Sequence, residues 1–268
     1  MRWEIVSPVV IVLSVLAFLI LERLFPYDPG EKVLRDGFWT DLVFYTLLQS
    51  YVLALAISWI IARVDVAFGL SRRGLVASWP IAVQVTFFVV THDLYIYLFH
   101  RLQHRSPRLW RLHEAHHSAK SVDWLAGSRS HSLEILINQT IEFAPMFLLG
   151  AAPSVPLIKG MIGAVWGMYI HANLGVRTGR LQWIINGPEA HRWHHAVDED
   201  AHNKNFATKL AIWDRLFGTA WIPKGRRPSG YGLPDVDFPK NYFAQHVFAF
   251  RPLPPTLAEE APAPEGAF

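Results

Sequence analysis

The chain has 268 residues, 51% of them hydrophobic and 18% charged, with a formal net charge of +3. It contains no cysteine, which excludes disulfides, iron–sulfur ligation and thiolate zinc sites, and so mild a charge gives no nucleic-acid footprint. The apolar excess, a mean hydropathy of +0.20, gathers into runs that approach bilayer thickness.

The first run, residues 9–20, is short for a span unless its flanks contribute. It is followed by bulky and charged residues, LERLFPYDP, and not by the small residues of a cleavage site, so it reads as an uncleaved anchor. The second run, 42–61, is a span. The third begins near Pro80 and reaches His100. The fourth, 135–151, carries Asn138, Glu142 and Pro145. The fifth is 155–170, and a short Pro-containing turn makes a hairpin of the last two. Tryptophan, present 11 times, suits the membrane interface. Arginines and lysines cluster after run three (Arg101, Arg105, Arg108, Arg111, Lys120, Arg129) and after run five (Arg177, Arg180, Arg192), so both regions are expected on the cytoplasmic side. The polar and aromatic segment from Asn173 to Pro223 is expected to fold against the span ends. The tail RPLPPTLAEEAPAPEGAF is expected to be disordered. Three units follow: N-terminal membrane helices over 1–79, a histidine-rich core over 80–222, and a partly disordered C-terminal extension over 223–268.

The histidines cluster. HRLQH holds His100 and His104, HEAHH holds His113, His116 and His117, and HRWHH holds His191, His194 and His195. On a helix, Asp93, Tyr97, His100 and His104 fall within an arc of about 60°, whereas His92 lies about 80–120° away. Asp93 is thus the expected neighbour of a site on that face, and His92 a packed or hydrogen-bonded ring. A neutral imidazole offers a nitrogen lone pair to a metal. One triplet is within the reach of chance. Two triplets and a His-x-x-x-His, all on one membrane face, point to metal binding. His171, in YIHANLG, is a ninth candidate. One tetrahedral zinc takes about four ligands, so this many imidazoles suit two metals, with positions left for oxygen or water. Nitrogen ligands fit iron, zinc and copper alike. Taken alone, His113-Glu114-x-x-His117 is the zinc-hydrolase pattern. A non-catalytic metal transporter is a further reading, although its usual ligands, spaced along spans at bilayer depth, are not evident.

HRLQH, HEAHHS, HAN and HRWHH occur in this order and are followed by NKNFATKLAIWDRLFGT. Together they resemble the fatty acid hydroxylase/sterol desaturase superfamily over residues 80–222. HAN is similar to the sterol desaturase and alkylglycerol monooxygenase branches. The fatty acid 2-hydroxylase branch often has another histidine one turn before the position of His171, where this chain has Gly167. The resemblance implies an all-α integral membrane protein with four to five transmembrane helices and a cytoplasmic helical cap that carries a dinuclear metal site. It implies His100, His104, His113, His116, His117, His171, His191, His194 and His195 as ligands of two iron ions, which zinc replaces in some preparations. It implies O2 as co-substrate and hydroxylation or desaturation of a membrane lipid: a sterol, fatty acyl chain, ether lipid or carotenoid. No side chain beyond the di-iron centre is needed as an acid or base. The sequence has no G-x-G-x-x-G fingerprint and no fused cytochrome b5 module. Electrons from NAD(P)H are therefore expected through a separate reductase and a cytochrome b5-like or ferredoxin-like carrier.

Other polar residues are candidates to support the ligands. Glu114 sits beside the metal or in a salt bridge. His131 orients a ligand or touches substrate. Glu134 serves the site or pairs with Arg129, and Glu142 lies deeper in the fourth run. Asn173 fixes a ligand ring or caps run five. Asp198 and Asp214 are similar candidates, Asp214 otherwise pairing near Arg215. His202 reads as a surface residue, His246 as no ligand, and Tyr95 and Tyr97 as core.

Overall fold

The computed structural model describes residues 1–234 and 236–252. Among these there is no strand; isolated bridges join Pro26 to Leu174 and Ala196 to Tyr231. The first helix, α1, is Trp3–Leu24. A π-helical stretch, Thr40–Gln49, runs into α2, Ser50–Phe68. Then come α3 (Ile81–Arg105), α4 (Pro107–His117), α5 (Ser132–Leu148) and α6 (Ser154–His171). Short helices α7 (Pro188–His194), α8 (Ile212–Leu216) and α9 (Tyr242–Phe248) complete the order.

Among the described residues three helices are long and apolar enough to cross a membrane: Trp3–Leu24, Thr40–Phe68 and Ile81–Arg105. Their outer faces are apolar and exposed, with Val12, Leu16, Val52, Leu55 and Trp59 among the residues turned outward, as a lipid solvent requires. The fourth and fifth runs form the hairpin α5–α6. At 17 and 18 residues, with Glu134 and Glu142 in one and Lys159 in the other, these helices are shorter or more polar than those three.

The inward faces are polar. On α3 the buried residues are Gln84, Phe88, His92, Asp93, Tyr97, His100 and Gln103, three or four apart except for the adjacent His92 and Asp93. This helix packs against α4, α5 and α6, while α1 lies along α6. The turns at the far end meet closely. A Cβ on Gly150, whose φ is +73°, would stand 2.8 Å from Gly74 Cα, so only glycine allows that approach.

The C-terminal unit is more ordered than its composition predicts. Helix α9 packs on α4 and on the π-helical stretch. Tyr45 donates to Gln245 at 2.5 Å, and Arg111 donates to the Phe248 carbonyl. Aromatic residues ahead of the Pro- and Ala-rich tail supply this anchor. Of the tail expected to be disordered, 251–268, residues 253–268 lie outside the described residues.

Candidate metal centre

The site begins at a corner. Ser106 precedes Pro107, which disfavours helix at Ser106, and Ser106 takes an extended conformation. Its hydroxyl then accepts from Leu109 N–H and Pro107 opens α4. The chain folds back, and the α4 histidines meet those of α3. Ring centroids of His100 and His113 are 4.8 Å apart, as are those of His104 and His117. The end of α6 brings His171, and α7, opened by Pro188, brings His191 and His194, with His195 as its C-cap.

All nine predicted histidines assemble, in two groups. One contains His100, His104, His113, His117 and His194; the other contains His116, His171, His191 and His195. Within each group one nitrogen per ring lies within 4.8 Å of every other. The groups share a wall, with the His117 and His195 rings 4.6 Å apart.

Five rings are fixed by their Nδ1 atoms. His100 donates to the Phe206 carbonyl at 2.8 Å, His116 to Arg129 at 3.0 Å, His171 to Gly167 at 2.8 Å and His194 to Lys204 at 2.9 Å. His113 Nδ1 lies 3.0 Å from a Glu134 oxygen. A ring that donates from Nδ1 carries its lone pair on Nε2. In the first group the Nε2 atoms of all five histidines are buried with no hydrogen-bond partner. In the second the Nε2 atoms crowd together: His191 to His171 at 2.9 Å, His195 to His191 at 3.2 Å and His171 to His116 at 3.4 Å. Lone pairs aimed at one another and at nothing else fit a cation held between them. The all-nitrogen donor set suits iron, zinc or copper. Burial pushes His113 and His116 down to about 3 and His117, His191, His194 and His195 well below the usual imidazole range, which keeps the rings neutral and able to ligate.

The carbonyl acceptors come from an unusual loop. Asn203 and Asn205 have φ of 59° and 55°, the left-handed region that asparagine tolerates best among residues with a Cβ. They flank Lys204, and Phe206 follows. Asn205 is tied down by its side chain, which donates to Ala190 and Trp221 carbonyls and accepts from Trp221 N–H. The loop thereby turns the Lys204 and Phe206 carbonyls onto His194 and His100.

The supporting candidates divide. Glu134 does serve a ligand, and Arg129, its alternative partner in the sequence, instead pairs with Asp41 at 2.8 Å. Asp214 acts one step removed, accepting from Phe206 and Ala207 N–H groups at 2.8 and 3.0 Å. Asp93 contacts no ligand ring. It gathers Thr208, Lys209 N–H, Leu210 N–H and the Trp213 indole, pinning the 208–213 segment to α3. Glu114 is held by Arg111 at 2.7 and 3.0 Å, the salt bridge and not the general base of a hydrolase. His131 caps α5, accepting from Leu133 N–H and donating to the His246 carbonyl, so neither nitrogen is free to ligate. Asn173 joins the loop after α1, with Asp28 on both ends of its amide. Asp198 accepts from Ser229 N–H and lies 3.8 Å from Arg226, outside the cluster. Asp93, Glu114, His131, Asn173 and Asp198 miss the rings because each finds another partner: backbone groups for Asp93, His131, Asn173 and Asp198, and the Arg111 guanidinium for Glu114. His202 is exposed, as expected.

Comparison with known proteins places the chain. The Fatty acid hydroxylase family matches residues 85–219. Ornithine lipid hydroxylase OlsE of Rhizobium tropici is 34% identical over 228 residues, covering 82% of this chain and 68% of that protein. The chain belongs to the fatty acid hydroxylase family. It is an oxidoreductase of that family. The alkylglycerol monooxygenases of Xenopus tropicalis and Danio rerio are 30% and 35% identical, over 53% and 47% of this chain. The chain spans only 31% and 28% of the length of those two relatives. No solved structure matches it.

In this member of the fatty acid hydroxylase family the histidines open on a cavity of about 510 Å³ lined by α1, the π-helical stretch, α3, α5 and α6. His100, His113, His116, His171 and His191 form part of its wall. Gly160, Gly163, Ala164 and Gly167 line α6, and a Cβ on Gly167 would touch nothing within 4 Å. Of the nine histidines only His104 is less than fully buried; it stands outside the cavity wall, under the Trp110 ring at 4.9 Å.

Proposed function

We propose that this protein is a membrane-bound, O2-dependent lipid hydroxylase whose nine clustered histidines hold two iron ions. The observation that carries the reading is the array of buried Nε2 lone pairs, one group of five and one of four, set beside a cavity with membrane-facing helices around it. Iron bound there supplies the activation of O2 with two external electrons, so that C–H, O2, two electrons and two protons give C–OH and water.

The protein's own part is positional. Backbone carbonyls and Glu134 fix ring orientation, and neutral imidazoles leave the ligating nitrogens unprotonated. The cavity, whose wall includes His100, His113 and His116, holds a hydrocarbon segment against them. The relatives' names, ornithine lipid hydroxylase and alkylglycerol monooxygenase, favour alcohol over alkene as the product and a polar lipid over a free hydrocarbon.

Electrons come from a separate carrier. The reading takes them in on the face away from the cavity, where Trp110 covers His104 and where Arg105 and Arg108 are exposed beside half-buried Arg101. Such a face suits an acidic carrier. The same arginines argue for a cytoplasmic position of the histidines.

The test is metal content of protein purified in detergent from iron-supplemented cells, beside a His194→Ala, His195→Ala double variant. The expected result is two metals per chain with iron present and a lower content in the variant, and lipid extracts that gain one oxygen atom only with the intact protein. A single zinc that survives the double substitution overturns the reading.

A further inference from the structure

At some distance from the histidines the cavity wall carries a group of charged side chains that ligation does not use. Lys159 of α6 is 1% exposed. Its ammonium donates to the Glu142 carboxylate of α5 and stands 3.2 Å from His92 Nδ1 on α3. An ammonium has only donors, so His92 Nδ1 accepts and the ring proton sits on Nε2. That Nε2–H is buried and has no partner. Both His92 and Glu142 line the cavity, together with Thr208 and Lys209. Lys209 in turn lies 3.9 Å from Asp93. Two cations and two carboxylates therefore balance around an unpaired donor.

An ion pair that only joined α5 to α6 would need neither a histidine nor a place on the cavity wall. Apolar residues would join those helices without the desolvation that buried charges incur. Ionisable groups among membrane helices characteristically face a substrate path. The charge balance is also informative: a carboxylate or phosphate brought here meets Glu142, and a cation finds that carboxylate already neutralised by Lys159. A hydroxyl or amide does better, because it accepts from His92 Nε2–H and donates to Glu142.

We propose that His92, Glu142 and Lys159 form the subsite for a neutral hydrogen-bonding group of the lipid, a hydroxyl or amide, while the carbon to be oxidised lies at the histidine end of the cavity. The inference rests on the lipid-hydroxylase reading for the role of the cavity. His92 and His100 are eight residues apart on the same helix, about 12 Å along its axis. The polar group is thereby held at a set distance from the site of oxidation, and the enzyme counts its position from that group.

The test separates binding from turnover. Zinc-loaded protein in detergent is titrated with bromine-terminated dodecanol, dodecanoate and dodecane. Binding is read from quenching of Trp124 and Trp166, which line the cavity, with Trp124→Phe as the reference for quenching elsewhere. The alcohol is expected to bind about tenfold more tightly than the other two, since dodecane leaves the buried donor unmatched and the carboxylate of dodecanoate meets Glu142. His92→Phe and Glu142→Gln are expected to erase that preference while metal content stays at the wild-type level. Equal binding of the three probes to the wild-type protein overturns the subsite whether or not the variants fold. Alcohol-selective binding in a chain that oxidises no lipid supports the subsite and defeats only the hydroxylase reading. Lipid hydroxylation with head-group-indifferent binding does the reverse.

Discussion

His113 Nδ1 lies 3.0 Å from Oε1 of Glu134, a carboxylate buried at the start of α5. It is the one ligand ring oriented by a side chain where four others use backbone carbonyls. Glu134→Leu is therefore expected to lower metal affinity by about 10- to 100-fold, with Glu134→Gln falling between it and wild type. Competition against a chelator of known affinity measures this. Equal affinities in the three proteins would show that Glu134 does not orient the ring.

Gly127 is pressed against the second group. A Cβ there would stand 2.5 Å from His171 Nδ1. Gly127→Ala must displace His171 and disturb the four-histidine group while sparing the group of five. Metal content per chain should fall from two toward one. Loss of both metals, or of neither, contradicts the division of the rings.

Asn205 combines a φ of 55° with three side-chain hydrogen bonds. Asn205→Gly keeps the backbone conformation and loses the bonds; Asn205→Ala loses both. The alanine variant should be the less stable by about 1 kcal/mol. Both should bind metal less tightly, since the Lys204 and Phe206 carbonyls lose their aim. Thermal unfolding and chelator competition check the two parts.

Gly167 donates nothing from a side chain, and its carbonyl receives His171. Gly167→Leu keeps that carbonyl and fills the cavity, where a Cβ has no neighbour within 4 Å. Lipid turnover should drop at least about tenfold with metal content unchanged, a filled site rejecting substrate on steric grounds. Product analysis beside metal analysis decides it.

The buried rings also set a pH dependence for the metal-free protein. His113 and His116 fall to about 3 from an ordinary 6.5, and their neighbours fall likewise. The folded chain keeps these rings neutral while the unfolded chain takes up protons below about 6.5. Stability is thus flat above that value and is lost as pH falls through the interval down to about 3. Unfolding midpoints of chelator-treated protein one unit above and one unit below the ordinary value test the sign. A higher midpoint on the acid side would refute it.

Side chains betray the centre in the sequence; backbone does not. The spacing of His100, His104 and the two triplets names eight of the rings, and His171 in YIHANLG is the ninth candidate, because ligation demands a particular residue type. The carbonyls of Phe206, Lys204, Arg129 and Gly167 have no such signature, since any residue supplies one. What the sequence does carry is the pair of asparagines at 203 and 205, legible as a left-handed loop only once its φ angles are known. Asp93 illustrates the opposite error. Its place on the His100 face is right, but four donors from residues 208–213 reach it first. Helix periodicity gives the face and not the partner. Lys159 gives no signal in the sequence, because one charge in an apolar run carries no period and its partners Glu142 and His92 lie on other helices. Span counting is limited in the same way: α5 and α6 are largely apolar but carry Glu134, Glu142 and Lys159.

Five imidazole nitrogens sealed from water without a partner, and four more crowded lone pair to lone pair, are a standing penalty on the folded chain. Metal removes that penalty, and its binding free energy becomes folding free energy. In a living cell the share of the chain that escapes proteolysis then follows the supply of the ion. If the nine histidines hold metal as proposed, starvation for it is expected to lower the amount of the protein as well as its activity.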